Sequence, residues 1–299
     1  MNTTELLFPS NRVYDIERCF HRQLDALYGD DEVTAMIREL FRAFLGWDTA
    51  QRLVNRRETI NQSDLLRFHW ALHDLKHWRP LQHITGYTDF CDCRIDVDEH
   101  TLIPRPETEE MVLRTLEQMD GAERERRLEI ADLCTGSGCI AIALAKQLPR
   151  SHIVAYDLSA QALERARRNA ERNRVAVQFE EADLLTEAMQ ERIAPASLDL
   201  IVSNPPYVCE TERSGMSANV LEYEPASALF VPDEDPLRFY RAIAVLAARW
   251  LKGGGRLVVE INERLGCETL ELFEANGLVG TVETDFRGKE RVVRATKPA

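Results

Sequence analysis

Hydrophobic and polar positions change rhythm once along this chain. Between residues 11 and 78, apolar side chains recur three and four apart. Val33, Met36, Ile37, Leu40 and Phe41 form one such stripe, and Leu65, Phe68 and Leu72 another. That period predicts amphipathic helices, with few strand signals to interrupt it. Pro9 and Pro80 bracket the region, so a small bundle of short helices is expected over residues 1–80. The pattern leaves its role open: a packing or dimerisation module and a substrate-docking module would look alike.

Residues 81–106 form a bridge. The run HITGYTDFCDCRIDVDEHTLIP alternates in part and contains Gly86, which predicts a short hairpin. Ile103-Pro104-Arg105-Pro106 then stays extended, because each proline biases its predecessor away from the helical region, and 108–119 reads as a helix. From residue 128 onward the rhythm is different. Apolar runs at 128–133, 153–156, 175–179, 198–203 and 256–261 predict strands, and 139–147, 159–172 and 236–251 predict helices. Such alternation means a mainly parallel sheet covered by helices, here across residues 107–299. The segments 279–283 and 291–295 flank a polar turn at Arg287-Gly288, which predicts an antiparallel hairpin at one end of the sheet.

Composition narrows the class. Hydrophobic residues make up 44% and charged residues 29%, ordinary for a globular chain. No run approaches the roughly 18 apolar residues that cross a bilayer. The opening MNTTELLFPS lacks a basic segment followed by an apolar one, so no secretory signal, no membrane partner and a cytoplasmic location are expected. The seven cysteines are odd in number and scattered, and Cys91 and Cys93 sit too close for a CxxC ligand pair; reduced thiols and no metal are expected. A formal net charge of −13 repels phosphate backbones. It argues against a protein whose main task is holding DNA and suits a basic protein partner, or one already bound to RNA.

Two motifs carry chemistry. Glu129-Ile-Ala-Asp-Leu-Cys-Thr-Gly-Ser-Gly-Cys joins a predicted strand to a predicted helix through small residues. Gly136 and Gly138 permit a tight turn and a close backbone approach to a ligand, and ligands of such sheets bind at the carboxyl ends of the strands. The next strand ends at Asp157, 21 residues after Gly136, where an acid can grip ribose hydroxyls. A plainer role for Asp157 is to cap the helix beginning near Ser159. Ala141 stands where a dinucleotide fingerprint has its third glycine. The second motif, Asn204-Pro205-Pro206-Tyr207, directly follows the strand at 198–203. Its prolines fix φ and remove two donors. The Asn204 side-chain oxygen and the Pro205 carbonyl then face outward as acceptors for a planar NH₂ group, and Tyr207 offers an aromatic face to a developing positive charge. Its plainer reading is a surface turn.

Together, DLxTGSG, Tyr156-Asp157 and Ala182-Asp183 resemble the class I S-adenosylmethionine-dependent methyltransferases. The resemblance implies an α/β fold, a seven-stranded Rossmann-like sheet with its last strand antiparallel, preceded here by the helical bundle and the hairpin linker. It places Cys134, Thr135, Gly136, Ser137 and Gly138 around the methionine part of S-adenosylmethionine, Asp157 on ribose, and Asp183 and Leu184 near adenine, with Asn204 at the reacting end. NPPY beside this loop is similar both to N6-adenine DNA methyltransferases and to protein N5-glutamine methyltransferases. The acidic charge and the lack of a separate DNA-recognition region favour glutamine, since a DNA enzyme must extract its base. The bridge points the same way. Pro80 to Gly86, Phe90 and Thr101 to Glu109, then Tyr223-Glu224-Pro225, Ala228-Leu229 and Asp285 to Arg291, resemble the glutamine methyltransferases of bacterial peptide chain release factors over nearly the whole chain.

That resemblance implies a glutamine in the Gly-Gly-Gln tip of a class 1 release factor as acceptor, with no nucleic acid required and a monomeric enzyme. It implies Asn204, Pro205 and Tyr207 as catalytic residues, with Pro206, Arg105 and Glu109 also lining the substrate. Arg105 and Glu109 either shape the wall between cofactor and substrate or merely pair with each other on the surface. The chain departs from the family at three places. Cys134 stands where glycine is usual, and CTGSGC is similar to a sister group acting on ribosomal protein L3, which tends to lack the RPETE form. Ile261-Asn262 replaces a stretch with a nearby glycine, and Leu184 replaces an aromatic residue.

Overall fold

A computed structural model describes residues 8–299, which divide into two compact units. Residues 1–7, part of the expected helical module and of the stretch read for a secretory signal, lie outside the described residues. One unit runs to Gly86 and takes in Ala218–Tyr223; the other comprises Tyr87–Ser217 and Glu224–Ala299.

The first unit is helical, as its periodicity predicts, with helices Val13–Tyr28, Asp30–Leu45, Thr49–Val54, Gln62–Lys76 and Leu81–Thr85. Every stripe residue named above is buried, and Phe41 and Phe68 meet with ring centroids 4.6 Å apart. The expected linker begins too early. Leu81–Thr85 is a helix whose Leu81 and Ile84 pack on this core, and Gly86, at φ 84, ends it. The boundary therefore falls after Gly86 rather than at residue 80, because apolar contacts, not the proline, decide where the bundle stops.

The second unit opens with a hairpin, β1 Tyr87–Phe90 and β2 Cys93–Asp96. Both turn residues, Cys91 and Asp92, have positive φ (47° and 60°), as a two-residue turn between twisted strands demands. The main sheet contains β3 Glu129–Leu133, β4 His152–Asp157, β5 Gln178–Glu181, β6 Leu198–Ser203, β9 Leu251–Glu260, β10 Val279–Thr284 and β11 Glu290–Thr296; between them, β7 Val208–Cys209 and β8 Phe230–Val231 form a separate two-stranded ladder. Its order is β10-β11-β9-β6-β3-β4-β5. Neighbours pair in parallel from β9 to β5, and β11 runs antiparallel between β9 and β10. Helices Pro106–Glu117, Cys139–Gln147 and Ala160–Asn173, and on the other face Arg238–Trp250 and Gly266–Ala275, cover it and create two apolar cores.

Two strands depart from their predicted limits. Pairing in β5 starts at Gln178, since Arg174 caps the preceding helix at φ 59 and Val175 and Val177 pack on the core as the chain leaves it. β9 begins at Leu251, five residues before its predicted start at 256. The glycines at 253–255 hide its start by breaking the apolar pattern, and the ladder with β6 shifts register there. A Cβ on Gly255 would stand 3.0 Å from the Leu198 carbonyl oxygen.

Candidate active site

The carboxyl ends of β3, β4, β5 and β6 open onto one cavity of about 480 Å³, within the range of small-molecule sites. The turn after β3 is built from inside. Asp132, fully buried, accepts a hydrogen bond from the Thr135 hydroxyl at 2.5 Å and one from the Ala141 N–H at 3.2 Å. Burial pushes its carboxyl up to about 7 against these donors. Cys134, Gly136 and Gly138 all take positive φ. A Cβ on Gly138 would meet Ala166 at 3.0 Å, so this glycine lets the helix Ala160–Asn173 close on the turn. Asn169, also fully buried, donates to the Ser137 carbonyl at 2.9 Å and to Asp96 of β2, tying hairpin, turn and helix together.

Asp157 ends β4 with both oxygens engaged, one by the Gly136 N–H at 2.8 Å and the other by the Ser159 N–H at 2.9 Å. Burial raises its pKa more than these two donors lower it. Capping of the next helix belongs to Ser159, whose hydroxyl accepts from Ala162. Asp157 thus joins the two turns that face the cavity, which is more than a cap. Asp183 and Leu184 follow β5 on the same wall.

The other wall is the NPPY turn. Ser203 donates to the Leu133 carbonyl at 2.7 Å, fixing the end of β6 to the end of β3. Asn204 donates from Nδ2 to the Thr108 hydroxyl oxygen at 3.1 Å. Thr108 donates in turn to Glu260 Oε2 at 2.5 Å, and the Tyr207 hydroxyl donates to Glu260 Oε1 at 2.9 Å. Glu260, at the end of β9, is 1% exposed. Burial raises its pKa, while the two hydroxyls and the Arg291 guanidinium pull it back down. The Tyr207 hydroxyl is held well above its ordinary pKa, by burial first and then by Glu260.

Cys134, Thr135, Gly136, Ser137, Asp157, Asp183, Leu184, Asn204, Pro206 and Arg105 all line the cavity. Gly138, Pro205, Tyr207 and Glu109 stand behind that lining. Arg105 and Glu109 do not pair with each other. Arg105 donates to the buried Glu224 at 2.5 Å, and Glu224 also accepts from the Ile103 N–H. Glu109 accepts from the Cys91 N–H at 2.6 Å, holding the strained hairpin turn. Of the pair, Arg105 forms wall and Glu109 supports the scaffold. The residues that sequence reasoning missed are Asp132, Thr108, Glu224 and Glu260. Each is an acid or hydroxyl buried at a strand end or inside a motif read for its neighbours. An acid closing the apolar run of β9 was the available signal.

S-adenosylmethionine fits this cavity on two observations. No atom lies within 4 Å of where a Cβ on Gly136 would stand, so ligand can approach the backbone there. Asp132 Oδ1, beneath the same turn, is buried without a hydrogen-bond partner.

The parallel sheet with one antiparallel strand, the glycine turn after β3 and the acid after β4 define a class I methyltransferase. Family models agree: residues 108–226 match the Methyltransferase small domain and residues 19–86 the PrmC N-terminal domain. The chain is 39% identical to the release factor glutamine methyltransferase of Flavobacterium psychrophilum, over 92% of this chain and 95% of that relative. It is equally 39% identical to that of Bacteroides thetaiotaomicron, over 92% and 97%. The chain belongs to the release factor glutamine methyltransferase family. The fold is shared with a Pyrococcus furiosus methyltransferase, at TM-score 0.50 and 18% identity over 69% of this chain and 90% of that one. It is shared as well with a Thermus thermophilus 16S rRNA N2 methyltransferase solved with AdoMet and guanosine, at TM-score 0.50 and 18% identity over 71% and 49%. Among the described residues no helix is long and apolar enough to cross a membrane.

Proposed function

We propose that this protein transfers a methyl group from S-adenosylmethionine to the side-chain amide nitrogen of the glutamine in the Gly-Gly-Gln tip of a class 1 peptide chain release factor, in the cytoplasm. The observation that carries this reading is the Asn204 amide, pinned through its NH₂ end by Thr108 beside the cavity. Its free oxygen is then an acceptor, as an incoming NH₂ group requires. Family membership supplies the class of substrate.

An amide nitrogen is a poor nucleophile because its lone pair is delocalised into the carbonyl. Asn204 Oδ1, beside the cavity, accepts one of its N–H bonds and turns the lone pair outward. Residues 134–137, Asp157, Asp183 and Leu184 would hold the cofactor, which would supply an electrophilic methyl on a sulfonium. Positioning provides the acceleration; as the carbon–nitrogen bond forms, the methyl–sulfur bond would break with its electron pair left on sulfur, and the alkylated nitrogen would give one proton to water. Arg105, fixed by Glu224, narrows the wall between the two subsites. Glycines before the acceptor suit such a pocket, because bare backbone enters deeply.

The test is mass spectrometry of unmethylated release factor after incubation with enzyme and S-adenosylmethionine. A gain of one CH₂ on the Gly-Gly-Gln peptide, lost in Asn204→Ala, is expected. Ribosomal protein L3 and adenine-containing DNA serve as parallel acceptors. A gain on L3 alone would make Cys134 the better guide to substrate, and methylated DNA alone would overturn the protein acceptor.

A further inference from the structure

We infer that Thr108 and Glu260 set the direction in which the Asn204 amide faces its substrate, so that the enzyme selects an amide over a carboxylate. This rests on the reading that Asn204 receives the acceptor amide.

The three residues come from separate elements: the helix after the bridge, the end of β9 and the turn after β6. The Thr108 oxygen stands 2.5 Å from Glu260 and 3.1 Å from Asn204 Nδ2. A hydroxyl has one proton, and an ionised carboxylate can only accept. With Glu260 ionised, Thr108 spends its proton on it, which leaves only lone pairs towards Asn204. Those lone pairs can be met by the NH₂ end of the amide and not by its oxygen. Pinning NH₂ inward turns Oδ1 away from Thr108, beside the cavity that Asn204 lines. Tyr207 holds the other oxygen of Glu260 at 2.9 Å, so the carboxylate is fixed from both sides. A glutamine NH₂ then meets an acceptor, whereas a glutamate carboxylate would meet oxygen against oxygen. Rejection of the wrong side chain is built in by repulsion. Without the Thr108 hydroxyl the amide can turn over, presenting NH₂ to the site, and the preference reverses.

The test compares wild type, Thr108→Val, Thr108→Ser and Asn204→Ala with unmethylated release factor as substrate. The same factor carrying glutamate at the acceptor position serves as competitive inhibitor. Thr108→Val should lower kcat by about 100-fold and shift the glutamine-to-glutamate affinity ratio at least about tenfold towards glutamate, with cofactor affinity unchanged. Thr108→Ser should recover most of both. A role confined to packing would lower the melting temperature of Thr108→Val, read by circular dichroism, without moving the ratio. An unchanged ratio in Thr108→Val overturns the proposal. If wild type methylates and Asn204→Ala does not, that failure belongs to Thr108 and Glu260 alone. If Asn204→Ala still turns over, the reading of Asn204 itself fails.

Discussion

Two buried carboxylates at strand ends support the two walls of the cavity, and they do so differently. Asp132 under the cofactor turn and Glu260 behind the NPPY turn each accept a threonine hydroxyl at 2.5 Å. The partners of Asp132 lie three and nine residues along the chain, and its second oxygen has none. Those of Glu260 lie 152 and 53 residues away, and both of its oxygens are met. The first is a local device that shapes one turn and leaves a polar atom in reserve. The second is a long-range clamp that joins three elements. Local devices can be read from a motif; clamps of this kind exist only once the chain has folded.

The sharpest way to test this contrast is to remove each side chain. Glu260→Ala strips two buried hydroxyls of their acceptor and leaves a void. A loss of roughly 3–5 kcal/mol of unfolding free energy is expected. Asp132→Ala deprives only Thr135 and one N–H of the first helical turn, and it also removes a carboxylate with an unpartnered oxygen; about 1–2 kcal/mol is expected. Denaturant unfolding near pH 7 measures both. Equal losses would dissolve the distinction between clamp and local device.

The unpartnered oxygen has its own consequence for pH. Burial lifts the folded-state pKa of Asp132 to about 7, above its unfolded value. The neutral form is therefore favoured in the fold. The stability this group contributes is complete below about pH 4 and disappears as pH rises through about 7. Asp132→Asn keeps an acceptor for Thr135 and Ala141 but cannot ionise. Between pH 5 and pH 8 wild type should lose roughly 2–4 kcal/mol relative to this variant. Parallel pH profiles for the two proteins would show that Asp132 does not titrate in this range.

The same distance argument explains what could be read in advance. The sheet, the glycine turn, Asp157 and the NPPY turn rest on short-range patterns, and the structure places them on one cavity. Glu109 was legible as a member of RPETE, yet its destination was not. It serves a hairpin turn 18 residues back, where Cys91 takes a positive φ of 47° that a cysteine rarely adopts. Nothing in the local pattern announces that strain. Arg105 finds Glu224 across 119 residues, so of the two readings open to it the local pair with Glu109 is the one that does not form. Gly86 and the glycines at 253–255 misled in a simpler way. Gly86, read as part of the hairpin, instead ends a helix that packs with the bundle, and the glycines at 253–255, before the predicted strand start, lie inside that strand.

The two glycines of the turn refine the comparison to the scale of one methyl group. Both have positive φ, 54° at Gly136 and 82° at Gly138, so alanine at either position carries a backbone cost of about 1–2 kcal/mol. Their surroundings differ. The added methyl at Gly138 would press on Ala166 at 3.0 Å and Ile142 at 3.1 Å, within a packed core. At Gly136 it would enter open space on the cavity side. Gly138→Ala should therefore be less stable than Gly136→Ala by roughly 1–3 kcal/mol, the cost of overpacking. Cofactor affinity, measured by calorimetry on the folded fraction, should fall the other way, with the larger loss in Gly136→Ala. Equal stabilities would mean that the helix Ala160–Asn173 yields to the methyl group. Unchanged affinity in Gly136→Ala would mean that the cofactor does not approach the turn at this glycine.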